Sequence, residues 1–206
     1  MQGPRILAGF VQGTLAAVSA PDAELGERVA SRLAPETRAR LTQASRIAWL
    51  DLAVDVELTH AIYAELGPTR ARELFRRNLT GALDAPVLRS LAQGALRLFG
   101  ASPARVFGWA PKAYSQLYRD AGVMRFVQDA PGSARLELEA LPACVAESAR
   151  YLDGIAASIA GGFDFMGAKG EVCMESHNPA ARRASFRLEW DEDGNSGETL
   201  PVLAGA

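Results

Sequence analysis

The sequence predicts an α+β fold, with a run of N-terminal helices packed against a small antiparallel sheet that comes late in the chain. Three observations predict it. From Cys144 to Phe163, the residues Val145, Ala149, Leu152, Ala156, Ile159 and Phe163 recur at alternating steps of three and four, which places them on one face of a helix. Before that stretch, Val123–Val127 and Ala134–Leu138 are short strand-like runs around the turn-forming cluster Asp129-Ala-Pro-Gly132. After it, Gly170–Ser176 and Ala184–Trp190 alternate again, with Phe186, Leu188 and Trp190 on one side. A hairpin, a long helix and a second strand pair make one sheet with a helix lying on it and one wet face. Helices first and strands last put the chain in the α+β class.

The elements follow in order. Ile6 to Val18 is apolar and punctuated by glycine, and is expected as a strand or loop pairing with the sheet edge. Asp22 can cap a helix towards Ala34, with Leu25 and Val29 inward and Glu24 four residues before Arg28. Pro35 suits a first helical position and is followed by an acidic Glu36, so a second helix runs towards Ala44. Between Ser45 and Leu58 the pattern fits two periods. Leu50, Leu52, Val54, Val56 and Leu58 alternate as in a strand, whereas Leu52, Val56, Tyr63 and Leu66 form a helical stripe. The reading adopted is an extended entry over Ile47–Trp49, then a helix from Leu52 to Leu66 that stops at Gly67-Pro68. Helices over Thr69–Leu83 and Pro86–Phe99 come next. Ser102-Pro103 opens another, continuing towards Ala121 with a kink at Pro111. In the last helix Pro142 sits in the first turn, Glu147, Arg150 and Asp153 face water, and Gly161-Gly162 provides the stop.

The 206 residues suffice for one substantial core. They are read as a single domain: an N-terminal strand and helix region over 1–46, a core over 47–190 and a polar tail over 191–206. A hydrophobic fraction of 49% with 22% charged residues is that of an ordinary globular protein. The net charge of −2 argues against binding nucleic acid by phosphate neutralisation. No apolar run approaches the length of about 18 residues that a membrane span needs, and no leader pattern opens the chain, so a cytoplasmic location is expected. The two cysteines, Cys144 and Cys173, are read as small buried hydrophobes rather than a bridge.

Chemistry-bearing patterns are sparse. No nucleophile elbow, phosphate loop, dinucleotide fingerprint or metalloprotease helix is present, so the chain is expected not to be an enzyme. His60, with Glu57 one turn earlier, reads as a surface or half-buried side chain. Cys173 and His177, four apart, would share one face of a strand, with Cys144 as a third metal ligand; zinc sites need a fuller set, and no metal or cofactor is expected. Arg70, Arg72, Arg76 and Arg77 form a basic run in which Glu73 can pair with Arg70 and Arg77. A solvated face is the first reading of that run and a partner patch the second. Trp109, Tyr114, Tyr118 and Phe126, with Leu152, Ile155 and Ile159, would line the interface of helix and sheet where a small-molecule cavity can form.

These residues carry a resemblance. Ser102-Pro103, then Trp109-Ala-Pro-Lys-Ala-Tyr-Ser-Gln-Leu-Tyr-Arg-Asp-Ala-Gly122, then Leu141-Pro142, the Gly-ended helix, Gly167-Ala168 and the closing Phe186-Arg-Leu-Glu-Trp190 resemble the four-vinyl-reductase-type domains and a paralogous myxobacterial group. Both resemble the wider superfamily of haem-nitric-oxide-binding domains and TRAPP vesicle-tethering subunits. The likeness extends back to the segment from Trp49 to Gly67. It implies a sensory or regulatory domain, often dimeric, that binds a small apolar ligand. The alternative it implies is an interaction scaffold that forms a homodimer and holds a small GTPase or other signalling protein. Zinc-binding members carry two cysteines in the final strands; Cys173 matches the first, and the segment His177–Ser185 offers no second. Haem-binding members use an axial histidine and a Tyr-Ser-Arg clamp; no such tripeptide is present and neither His60 nor His177 falls at the axial place, so haem is not expected.

Overall fold

The computed structural model describes residues 3–83 and 102–191. The helix expected over Pro86–Phe99, and the tail beyond Asp191, lie outside these. The chain opens with β1 (Arg5–Leu7), α1 (Ala8–Ser19), α2 (Ala23–Ser31), α3 (Pro35–Gln43), β2 (Trp49–Asp51) and α4 (Leu52–Leu83). The Asp22 carboxylate caps α2 by accepting from the Glu24 and Leu25 amides, and Pro35 opens α3, as the sequence predicts. Ile6 to Val18 differs from expectation. Only its first residues are extended, and they belong to a separate small sheet in which β1 lies between β2 and β3 (Tyr118–Arg119). The rest is α1, which buries Ala8, Val11 and Val18.

Proline and glycine act locally in α4. Gly67 takes a non-helical conformation (φ 71°, ψ 169°) ahead of Pro68, so α4 is two helical runs joined at a sharp kink, and the first stops at Gly67-Pro68 as the sequence predicts. Pro111, expected as a kink, instead sits in the first turn of a new helix. The segment splits into α5 (Pro103–Phe107) and α6 (Ala110–Leu117), and ends in β3 rather than reaching Ala121 as helix.

The main sheet is antiparallel throughout, in the order β4 (Val123–Ala130), β5 (Ser133–Glu139), β7 (Arg183–Trp190), β6 (Gly170–Asn178). Its inner face carries Leu136, Leu138, Phe186 and Leu188, all fully buried, with Leu136 registered against Phe186. The outer face is charged, as the period-two pattern requires.

The long helix is two elements, α7 (Ala143–Ala146) and α8 (Ala149–Met166), so Val145 and Ala149 do not continue one stripe and Ala149 is exposed. Gly161 and Gly162 do not stop α8. A Cβ on Gly161 would collide with the Arg76 carbonyl oxygen of α4, and one on Gly162 would lie 2.8 Å from the Phe107 ring; both glycines exist for close approach. The stop is Gly167, left-handed at φ 66°, with the Ala168 amide bonded back to the Phe163 carbonyl. With α4 packed along α8 and α8 on the sheet, the apolar core is sandwiched between them. Among the described residues no helix is long and apolar enough to cross a membrane.

Candidate ligand-binding site

A cavity of about 210 Å³ lies where α8, α6 and α4 meet the inner face of the sheet. α6 and its flanks contribute Trp109, Ala110, Ala113, Tyr114, Leu117 and Tyr118, and α8 contributes Tyr151, Gly154, Ile155, Ser158, Ile159, Gly162 and Phe165. Phe75 and Leu79 close it from α4, Phe10 from α1, Val106 and Phe107 from α5, and Met124 and Leu136 form the floor on the sheet. Gly162 matters here, because a Cβ there would press on the Phe107 ring, whereas one at Gly154 would make only ordinary contact with Phe75. The walls are overwhelmingly carbon, which is the general character of small-molecule sites.

One wall is polar. Asp55, in the first turn of α4, is 5% exposed and lines the cavity. Tyr151 donates to its Oδ2 at 2.6 Å, and the Tyr118 hydroxyl stands 3.4 Å from that of Tyr151. Burial raises the Asp55 carboxyl to about 6, with the Tyr151 hydrogen bond drawing it partly back. Burial likewise holds the Tyr118 and Tyr151 phenols well above their ordinary value, with the Asp55 charge adding to it. Tyr114 stacks on Tyr118 with ring centroids 4.4 Å apart and donates to the Ala121 carbonyl at 2.9 Å.

Of the seven side chains selected from the sequence, Trp109, Tyr114, Tyr118, Ile155 and Ile159 line the cavity. Phe126 and Leu152 do not. Phe126 packs against the core near Gly108, and Leu152 is wholly inside it, one helical step away from the cavity face. Sequence reasoning missed Asp55 and Tyr151. The signal was present as Asp55 set directly between Val54 and Val56 on the apolar stretch, since a carboxyl flanked by core residues needs a partner or a purpose.

The remaining candidates are dispersed. A bulge in β6 between Met174 and Ser176 shifts the register, so Cys173 pairs with Arg187 on the outer face and His177 with Ala184 on the inner one. The expected shared face is therefore lost, and Cys173 is exposed rather than buried. His177 Nε2 is 2.6 Å from the Ala146 carbonyl oxygen, and His60 Nε2 is 2.6 Å from Ser148 Oγ, neither at the cavity. Among the described residues no three His, Cys, Asp or Glu side chains gather as a metal set. In the basic run, Arg77 pairs with Glu73 at 3.3 Å, while Arg72 turns onto Asp153 and Arg76 onto Asp164, both on α8. Arg70 stays exposed and does not join Glu73. Half of the expected solvated face thus braces α4 against α8.

No protein-family model matches the chain, and no curated protein matches it. Solved structures do. The Fe(II) unliganded H-NOX protein from K. algicida superposes with a TM-score of 0.59 at 13% identity, over 89% of this chain and 96% of that one. An oxygen binding H-NOX domain related to soluble guanylate cyclases gives 0.59 at 10% identity, over 90% and 95%. A mutant of T. Tengcongensis H-NOX gives 0.59 at 11%, over 90% and 97%. At these identities the likeness is one of fold, and it runs through nearly the whole length of both chains: this chain folds like these H-NOX domains.

Proposed function

We propose that the protein is a non-enzymatic sensory or regulatory domain whose cavity holds a small apolar molecule. The observation that carries this reading is the carbon-walled cavity between α4, α6, α8 and the sheet, lined by aromatic and branched side chains from five helices and the sheet. A scaffold working only through its surface has no use for such a space, and its interior would be close-packed. Structural neighbours with this fold include a domain described as oxygen binding, which supports a sensing role without fixing the ligand.

Haem does not fit the residues present. The whole chain has two histidines, and both are engaged away from the cavity. Neither cysteine lines it, and the described lining offers no Arg, Lys or His to meet a pair of propionates. The lining phenols of Tyr114 and Tyr151 donate to protein acceptors and are held protonated by burial. An organic molecule smaller than a porphyrin suits this lining better.

The test is a thermal-shift titration with benzene and indole on the wild type and on Ile155→Trp, which fills the cavity, together with native mass spectrometry of gently purified protein. The reading expects a concentration-dependent rise in Tm that the variant abolishes. A wild type that binds neither probe and carries no co-purified small molecule would overturn it.

A further inference from the structure

We infer that Asp55 is the polar anchor of the cavity and that its ligand is a small apolar amine, bound with its ammonium on the free oxygen of this carboxylate. The inference rests on the proposed function and names the ligand class for the same cavity.

Asp55 has neither of the structural duties usual for an acid at its position. It lies in the first turn of α4, where an acidic side chain often serves as a helix cap. That duty is already filled, because Asp51 Oδ1 accepts from the Ala53 amide at 2.9 Å. Nor does Asp55 belong to an ion pair: no cation among the described residues acts on it, and its one side-chain partner is the Tyr151 hydroxyl at Oδ2. Oδ1 has no hydrogen-bond partner among the described residues, although the residue is 5% exposed and lines the cavity.

Four other polar side chains of the lining are satisfied within the protein. The Thr14 hydroxyl reaches the Phe10 carbonyl, and Ser158 donates to the Gly154 carbonyl. Tyr114 donates to Ala121, and Tyr151 to Asp55 itself. Asp55 Oδ1 and the neutral Thr59 hydroxyl are thus the lining groups left without a protein hydrogen bond among the described residues, and of the two only Oδ1 carries charge, in a chamber of carbon.

Charge decides between ligand classes. The folded carboxyl titrates at about 6, so at neutral pH the carboxylate is the main form. A buried anion with no counter-charge is costly, and an ammonium brought in by the ligand supplies both the missing charge and a donor for Oδ1. Tyr118, stacked on Tyr114, adds an aromatic wall beside the same carboxylate that suits a cation. A ligand carboxylate would be repelled. A neutral acceptor would require the carboxyl to be protonated. Volume limits the body of the ligand: a cavity of about 150 Å³ accommodates benzene, so 210 Å³ admits a ring with a short aminoalkyl arm.

The test uses three probes of one shape: benzylamine, ethylbenzene and benzyl alcohol, titrated calorimetrically at pH 7.5 into the wild type and Asp55→Asn. The expected result is benzylamine binding the wild type at least tenfold more tightly than ethylbenzene, with that preference lost in Asp55→Asn. If ethylbenzene or benzyl alcohol binds the wild type as well as benzylamine, the amine anchor is wrong and the apolar cavity stands. If no probe binds the wild type, the cavity reading itself falls and takes the anchor with it. The wild-type comparison needs no variant, so a poorly folding Asp55→Asn does not obscure the outcome.

Discussion

Tyr151 donates its phenolic proton to Asp55 Oδ2 at 2.6 Å, joining the first turn of α8 to the first turn of α4 within the cavity wall. Because burial lifts the Asp55 carboxyl from 3.8 to about 6, the folded chain holds that proton more tightly than the unfolded chain does. The sign follows: Asp55 contributes most to stability below pH 4, and that contribution is lost as pH rises through 6. Tyr118 and Tyr151, the titratable groups that face it, stay protonated throughout this window. Two pH units correspond to about 3 kcal/mol. Urea unfolding of the wild type and Asp55→Asn at pH 4 and pH 7.5 isolates this term. The wild type should lose about 2 kcal/mol relative to the variant across that interval, since the unfolded carboxyl is already partly ionised at pH 4, and a constant difference would place Asp55 at its ordinary value.

Glycine 161 marks the closest approach of α8 to α4. An added methyl there meets a backbone carbonyl, which cannot swing aside as a side-chain end can. Gly161→Ala should therefore destabilise the protein by about 3 kcal/mol, the upper range for overpacking. Gly13, in the middle of α1 with open space around its Cβ direction, makes the control. Gly13→Ala should stabilise by roughly 0.5–1 kcal/mol, from helix propensity and a less mobile unfolded chain. Chemical denaturation of both variants checks the pair. Equal effects would show that the helices are not in close contact at Gly161.

The strands and their inward residues were legible in the sequence because period-two alternation survives in short runs. Leu136, Leu138, Phe186 and Leu188 follow from it directly. The cavity's α6 side was legible for a similar reason, since Trp109, Tyr114 and Tyr118 are large and cannot all be solvated. Glycine and proline were harder, because each has two uses. Gly161-Gly162 looks the same in sequence whether it ends a helix or admits a neighbour, and only the Arg76 carbonyl and the Phe107 ring across the interface decide it. Pro111 and Pro68 are alike in this respect: a proline opens a helix or bends one according to what precedes it. The β6 bulge was hidden too, as one extra residue reverses every later side chain and leaves no mark on composition. Asp55 and Tyr151 are 96 residues apart, and nothing local in either segment announces the other.

Ser148 holds Tyr151 in place. Its hydroxyl oxygen accepts from the Tyr151 amide at 3.1 Å as the cap of α8, and the same oxygen is 2.6 Å from His60 Nε2. Ser148→Ala removes the cap and should cost about 1–2 kcal/mol. His60 is held below its ordinary value by partial burial and by the nearby Arg150 charge, so its share of stability is present above about pH 6.5 and declines as pH falls through the folded value. Folding measurements on Ser148→Ala at pH 7.5 test the cap. Unchanged stability would mean that backbone geometry alone starts α8.

Both sides of the Gly67 break in α4 are fastened to α8 through Asp153, which accepts from the Tyr63 hydroxyl at 2.6 Å and pairs with Arg72. The two contacts differ in kind. Tyr63 is 7% exposed and its phenol is pushed up by burial and by the Asp153 hydrogen bond, so its bond forms away from water. Arg72 is 43% exposed on its side chain, and solvent screens its pairing. A double-mutant cycle on Arg72 and Asp153 should therefore give a coupling below about 1 kcal/mol that shrinks in high salt. Tyr63→Phe should cost about 1–2 kcal/mol, nearly independent of salt. A large, salt-sensitive Arg72 coupling beside a neutral Tyr63→Phe would reverse the assignment and make the basic run, rather than the buried phenol, the fastening of these helices.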